Sequence, residues 1–373
     1  IPKEQSQDEK RVSLTPGGVS ILKANGHNVV IQKAAGEHAN FTDREYADAG
    51  AEIAYSTEDV FKKSELILKV APLTDEEHPL LQPDQSIICA VHMGTQNAAV
   101  LKAISEHSVT AIGYEFICGE DKEFPIVRMM HEITGSIAVQ VAAHYLESSH
   151  GGQGIMLGGI SGVPPATVVI LGAGITGEYA ARTALGYGAQ VFIMDTDLTL
   201  LRKIENALDR RIITTIANQQ YLTTALRFAD VVIGAAMAEG DRAPCWVTEE
   251  MVAAMKSGSV IVDTVIDQGG CIATSKATSH SNPIFEKHEI IHYCVPNMPS
   301  NVARTGTYAL NNVIVPYVLA IGDAGGVKEC LWENPALRNG TYAFRRHLTK
   351  KRLSEMYPEL PFREIEMLIA SQI

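Results

Sequence analysis

The sequence predicts an α/β protein of two doubly wound, Rossmann-like domains with mainly parallel sheets, flanking a cleft. Three observations carry this expectation. The chain has 373 residues, more than one core ordinarily holds, so two domains are the natural division. Short β-branched runs alternate with amphipathic stretches, the pattern of parallel strands joined by covering helices. A strand–loop–helix segment near the middle of the chain spaces its glycines as a tight strand-to-helix turn requires.

In the first third the expected strands are "HNVVIQKA", "ELILKVA", "SIICAVH" and "TAIGYEF". Between them "TPGGVSILKANG" has a threonine cap, an early proline and a closing glycine, which are helix start and stop signals. "TQNAAVLKAISEHS" is a second helical stretch. A long helix, "GSIAVQVAAHYLESSH", leads to the glycine-rich link "HGGQGIMLGGISGVPP". That link lacks the GK[ST] ending of a phosphate-cradling P-loop and reads as a connecting excursion. The second strand series is "TVVILGA", "AQVFIMD", "RIITTIA", "DVVIGAA", "SVIVDTV" and "IIHYCV". After Arg304 the chain is expected to turn helical and to stay so, with "RRHLTKKR" as a solvated helix face.

Bulk properties exclude several functions. A net charge of −12 argues against nucleic acid or an anionic membrane as main partner. Hydrophobic content of 46% with 20% charged residues is that of an ordinary soluble globular protein. The cysteines, Cys89, Cys118, Cys245, Cys271, Cys294 and Cys330, show neither a CxxC pair nor zinc spacing, so reduced thiols and no metal are expected. The longest apolar run, "YALNNVIVPYVLAIG", is short for a bilayer and carries two asparagines and a proline. With no signal peptide apparent, a cytoplasmic protein is expected.

"VVILGAGITGEYAARTALGYGAQVFIMD" has every part of a dinucleotide fingerprint. Gly172 allows the tight turn, Gly174 lets backbone approach a pyrophosphate, and Gly177 lets the next helix pack closely on the sheet. The helix N-terminus offers N–H groups and partial positive charge to phosphates. Asp195 ends the next strand, where a carboxylate accepts from the ribose hydroxyls and repels a 2′-phosphate. The expected cofactor is therefore NAD rather than NADP.

The opening "IPKEQSQDEKRVSLTPGGVSILKANGHNV", with "LILKV", "MMHEITG", "LGAGITGEYAA", "VTEEMVAAMKSGSVIVDTVIDQGG" and "NMPSNVART", resembles the alanine dehydrogenase / pyridine nucleotide transhydrogenase alpha-subunit family over essentially the whole chain. The acid Asp267 in "IDQGG" resembles the dehydrogenase branch. The resemblance implies that Arg11 grips a substrate carboxylate, Lys69 stands beside a keto or imino group, and His92 is the acid–base residue. It further implies that Asp267 is a catalytic carboxylate and that Asn297 approaches the nicotinamide. The implied reaction is NAD-dependent interconversion of L-alanine with pyruvate and ammonia, in a homohexamer. Residues 1–126 and 304–373 would form the substrate domain, the latter as return helices, and 127–303 the NAD-binding domain. The alternatives are the NAD(H)-binding subunit of a transhydrogenase, a dehydrogenase for another small L-amino acid, or an NAD-sensing protein without catalysis.

Elementary chemistry asks for the same residue types. A carboxylate is best held by the planar fork of an arginine, and proton transfer near neutral pH by a histidine. Taken singly, Arg11 reads as a surface ion pair and His92 as a structural histidine. Lys69, inside an apolar strand, would be costly as an unpaired ammonium. Of the two aspartates in "SVIVDTVIDQGG", Asp267 lies just past a strand's carboxyl end, where open α/β sheets place ligands. Asp263, inside the strand, is expected to cap local backbone donors. The chain departs from the family's pattern at "MGTQNAAV" after His92, at His131 where serine is usual, and at "NVARTGTYALNN", which lacks a proline before the arginine. These departures bear on amino-acid preference.

Overall fold

The fold is described from a computed structural model covering residues 1–6, 8–92, 98–208, 212–237 and 242–370. In chain order the first strands are β1 (Val30–Gln32), β2 (Glu52–Ala54), β3 (Leu66–Leu68), β4 (Ser86–Cys89) and β5 (Thr110–Gly113). The middle of the chain contributes β6 (Thr167–Leu171), β7 (Gln190–Asp195), β8 (Ile213–Ile216), β9 (Val231–Gly234), β10 (Val260–Asp263), β11 (Ile284–Lys287) and β12 (Ile290–Tyr293). The return adds β13 (Thr341–Phe344) and β14 (His347–Leu348). Two compact units result, Ile1–Met129 with Val302–Ile373, and Met130–Asn301.

In the first unit β3, β4 and β5 run parallel, and the sheet order is β14-β13-β5-β4-β3. β1 and β2 pair in parallel as a separate two-stranded sheet. The parallel strands are apolar because they are covered on both faces, and β4 and β5 have no exposed position. The helix Pro16–Ala24 starts as its sequence dictates: the Thr15 hydroxyl accepts from the Gly18 N–H, Pro16 takes the first position, and Gly26 follows with φ +86°.

The chain after Arg304 departs from the helical expectation. The helix Ala303–Asp323 forms and runs through Pro316, but β13 and β14 then make an antiparallel hairpin on the edge of the sheet. Phe344 pairs with His347, so Arg345 and Arg346 of "RRHLTKKR" are the two turn residues, at φ +49° and +66°. The run is a hairpin followed by the short helix Lys351–Met356, not one helix face. The cause is burial: all four residues of β13 are inaccessible and Tyr342 joins the core of this unit.

The second unit is a seven-stranded sheet in the order β11-β12-β10-β9-β6-β7-β8, parallel except for the edge strand β11. From β6 the chain winds outward through β7 and β8, then returns to β9 beside β6 and winds the other way. The gap between β6 and β9 is therefore the topological switch point, where such sheets leave a crevice at their carboxyl ends. All six cysteines are free, and Cys89, Cys271, Cys294 and Cys330 are buried. Among the described residues no single helix is long and apolar enough to cross a membrane.

Candidate active site

The switch point carries the glycine turn. β6 is buried along its whole length and ends at Leu171. Gly172 has φ +109°, and a Cβ there would stand 2.5 Å from the Ala235 carbonyl oxygen that follows β9. Gly177 is equally constrained, since its Cβ would lie 1.9 Å from the Gly172 oxygen. Gly174 differs: nothing lies within 4 Å of its Cβ position. It is the N-cap of the helix Ile175–Tyr187, where there is no side-chain cap hydrogen bond among the described residues. An open approach to a helix N-terminus at the switch point is the geometry a pyrophosphate requires.

Asp195, at the end of β7, is 7% exposed. Its Oδ2 accepts from the Ala173 N–H at 2.7 Å and its Oδ1 from the Asp197 N–H at 2.9 Å. The carboxylate thus ties strand β7 to the glycine loop and is oriented by it. The residues fit a dinucleotide: an uncrowded glycine, an open helix end and an acid beside the same loop.

Past β10 the two aspartates divide. Asp263 is 1% exposed. Its oxygens accept from the Val265 N–H at 3.3 Å, the Cys271 N–H at 3.1 Å and the Ser275 hydroxyl at 2.6 Å. Burial pushes its carboxyl up, and these donors oppose the shift. Asp263 therefore holds the loop that follows it. Asp267 lies on that loop, in the turn Ile266–Gln268 before Gly269 and Gly270, and is exposed. Its charge acts on His131, whose imidazole is pushed down by burial and partly restored by this carboxylate. Asn297 has φ +55° and accepts on its carbonyl from the Ser300 N–H at 3.0 Å. A left-handed non-glycine residue is uncommon and collects at sites where backbone must present a group.

In the first unit the carboxyl ends of β3 and β4 lie side by side, with the Lys69 N–H donating to Ile88 O at 3.0 Å. The Ser13 hydroxyl donates to Leu68 O at 3.2 Å, which brings the segment containing Arg11 to the same strand end. His92 follows β4 in the left-handed region, at φ +47°, with its side chain exposed. Arg11, Lys69 and His92 are therefore grouped at one sheet end of this unit. "MGTQN", singled out after His92, lies outside the described residues.

Each of these three residues is supported by a carboxylate that sequence reasoning missed. Arg11 donates to Glu9 through Nε at 2.7 Å and Nη2 at 2.6 Å, a bidentate pair with both side chains buried. Lys69 is fully buried and donates to Glu77 Oε1 at 2.7 Å and Glu4 Oε2 at 3.0 Å. Burial alone would lower this ammonium, but the two carboxylates outweigh it and its pKa is raised. The concern over an unpaired Lys69 is thus met by a three-member ion cluster. Glu115 accepts from the Val91 N–H at 2.9 Å and the His92 N–H at 3.0 Å, fixing the turn that carries His92. The available signal was the density of acids in "KEQSQDEKR" and "TDEEHP", which pairing alone cannot resolve into partners.

Models of the alanine dehydrogenase/PNT N-terminal and C-terminal domains match residues 1–134 and 138–351. The chain belongs to the alanine dehydrogenase/PNT family. Within it, the alanine dehydrogenase of Methanococcus maripaludis is 40% identical over 367 residues, covering 98% of each chain. That of Bacillus subtilis is 41% identical over 350 residues, 94% of this chain and 92% of the relative. A solved L-alanine dehydrogenase superposes with a TM-score of 0.92 at 37% identity, over 96% of this chain and 98% of that one. A transhydrogenase structure from Sinorhizobium meliloti shares the fold, with a TM-score of 0.80 at 22% identity over 94% and 98% of the two chains.

Proposed function

We propose that this family member is an NAD-dependent alanine dehydrogenase, catalysing oxidative deamination of L-alanine to pyruvate and ammonia and the reverse reductive amination. The observation that carries the reading is identity near 40% to alanine dehydrogenases along nearly the entire chain. The proposed division of labour gives the amino acid to Ile1–Met129 with Val302–Ile373, and the dinucleotide to Met130–Asn301. A cytoplasmic homohexamer acting on small molecules is the proposed setting.

Gly174 would receive the pyrophosphate on the turn that Gly172 and Gly177 shape, Asp195 the ribose hydroxyls, and Asn297 the nicotinamide end. Bound there, NAD supplies the acceptor for the hydride on the substrate Cα. Arg11 would hold the substrate carboxylate with one edge of its guanidinium, while Glu9 fixes the other edge and so sets the plane of the fork. Lys69, kept charged by Glu4 and Glu77, acts as a fixed cation beside the keto or imino group rather than as a proton carrier. His92 takes the proton from water as it adds to the imine and returns one as the amine leaves. Asp267 stabilises the developing iminium through its negative charge.

The test is an NAD-reduction screen of the purified protein with L-alanine, glycine, L-serine and L-aspartate. L-Alanine is expected to give the highest kcat/KM. Another member exceeding it by ~100-fold, about 2.7 kcal/mol of transition-state preference, would move the substrate assignment and leave the reaction class standing.

A further inference from the structure

The end of the helix Pro125–Tyr145 carries a cluster that the proposed reaction does not use. His144 lies in the last turn of that helix, Glu147 two residues beyond it, and His150 closes the single turn Ser148–His150. Donor atoms of the three side chains all lie within 4.8 Å of one another. His150 Nδ1 and Glu147 Oε2 are 3.4 Å apart. The imidazoles of His144 and His150 face each other with centroids 3.8 Å apart and planes at 40°.

Three side chains able to ligate a cation thus present their donor atoms at one point of the surface. The backbone beneath them is well held. The Gly152 N–H donates to Glu147 O at 3.1 Å and the Gly154 N–H to Leu146 O at 2.8 Å, while Leu146 is fully buried. A Cβ on Gly152 would stand 2.2 Å from Tyr145 O, so the chain doubles back tightly under the cluster. The Tyr145 ring packs edge-on against His144 at 5.0 Å and His150 at 6.1 Å.

The geometry points to a binding site for a divalent transition-metal ion of the zinc type, held by His144, Glu147 and His150, with a further position open to solvent. Around a tetrahedral ion with bonds near ~2.1 Å, adjacent ligand atoms stand about 3.4 Å apart. The His150–Glu147 spacing already has that value. The widest pair, at most 4.8 Å, would close by no more than about 1.4 Å, which side-chain rotation supplies. Two imidazoles with one carboxylate select Zn²⁺, Co²⁺, Ni²⁺ or Cu²⁺ over Mg²⁺ and Ca²⁺, which prefer all-oxygen shells. The site does not rest on the proposed catalytic residues.

The test titrates metal-stripped full-length protein with Zn²⁺ by calorimetry and with Co²⁺ by visible absorption. One Zn²⁺ per chain at ~10 μM or tighter is expected, together with Co²⁺ ligand-field bands. Both signals should weaken by at least ~10-fold in His144→Ala and in His150→Ala, each of which removes one of three ligands. Equal thermal midpoints of the metal-free proteins establish that the variants fold; should one not fold, Glu147→Gln is read in its place. Binding weaker than ~1 mM, or binding unchanged by these substitutions, overturns the site.

Discussion

Arg11, Lys69 and His92 each depend on an acid whose sequence position gives little hint of its task. Glu9 stands two residues from Arg11, yet both of its oxygens accept from the buried guanidinium as a bidentate pair. Glu9→Gln removes the charge and one of the two parallel acceptors, so the fork of Arg11 loses its fixed plane. KM for pyruvate and for L-alanine should rise by ~10-fold or more while KM for NAD stays within about twofold, as steady-state kinetics on both substrates will read. Equal rises in both constants would show that Glu9 supports the fold and not the substrate contact. The candidate site residues legible in the sequence are those whose chemistry is local, such as the glycines of "GAGITG" and the acid Asp195. Glu4 and Glu77 were not, because they meet Lys69 from 65 and 8 residues away, and only the folded chain brings them together. His131 was singled out as a departure, and its environment now gives it a measurable signature. Burial lowers its pKa and the Asp267 carboxylate opposes that shift. Asp267→Asn removes the opposing charge, so the His131 imidazole should titrate at still lower pH in an NMR titration. An upward movement would mean that Asp267 does not act on this ring.

At the scale of elements, the parallel strands were the readable part of the fold. β4, β5, β6, β9 and β10 are short, mainly apolar and buried throughout, which is the composition a strand covered on both faces must have. The hairpin β13–β14 escaped because its turn has none of the usual residues. Two-residue hairpin turns favour Asn-Gly, since both positions need positive φ, whereas here Arg345 and Arg346 take that role. Burial of Tyr342 and Phe344 imposes the turn on a sequence that disfavours it locally. Each left-handed non-glycine residue costs roughly 1–2 kcal/mol. Against this stand the contact of Arg345 with the Phe344 ring at 5.3 Å and its hydrogen bond to Leu368 O. Replacing the pair by Asn-Gly (Arg345→Asn with Arg346→Gly) should therefore give a net stabilisation of about 1 kcal/mol. The measurement is the urea midpoint at unchanged slope. A lowered midpoint would show that the arginine contacts outweigh the backbone cost.

On the scale of the whole molecule, the chain leaves its first unit, builds the second between Met130 and Asn301, and returns. The glycine turn and Asp195 sit on the second, and Arg11, Lys69 and His92 on the first. If the proposed roles hold, substitutions on the two units should separate dinucleotide binding from chemistry. His92→Ala is expected to lower kcat by about 10²-fold or more, the range that general acid–base catalysis supplies. It should leave untouched the stabilisation by NADH, which at 100 times its Kd amounts to about 2.7 kcal/mol for the unit that binds it. Asp195→Ser should do the reverse: kcat at saturating cofactor stays within a few-fold, NADH binds more weakly, and any preference for NADH over NADPH narrows. Thermal shift with NADH and NADPH, run beside steady-state kinetics on both variants, reads each of these quantities. The Asp195 carboxylate also accepts from the Ala173 and Asp197 N–H groups, so serine loosens the loop as well as removing the charge. Asp195→Asn, which keeps an acceptor oxygen toward the loop and removes the charge, separates the two effects. A narrowed cofactor preference in both variants assigns discrimination to charge. Narrowing in the serine variant alone assigns it to the shape of the glycine turn.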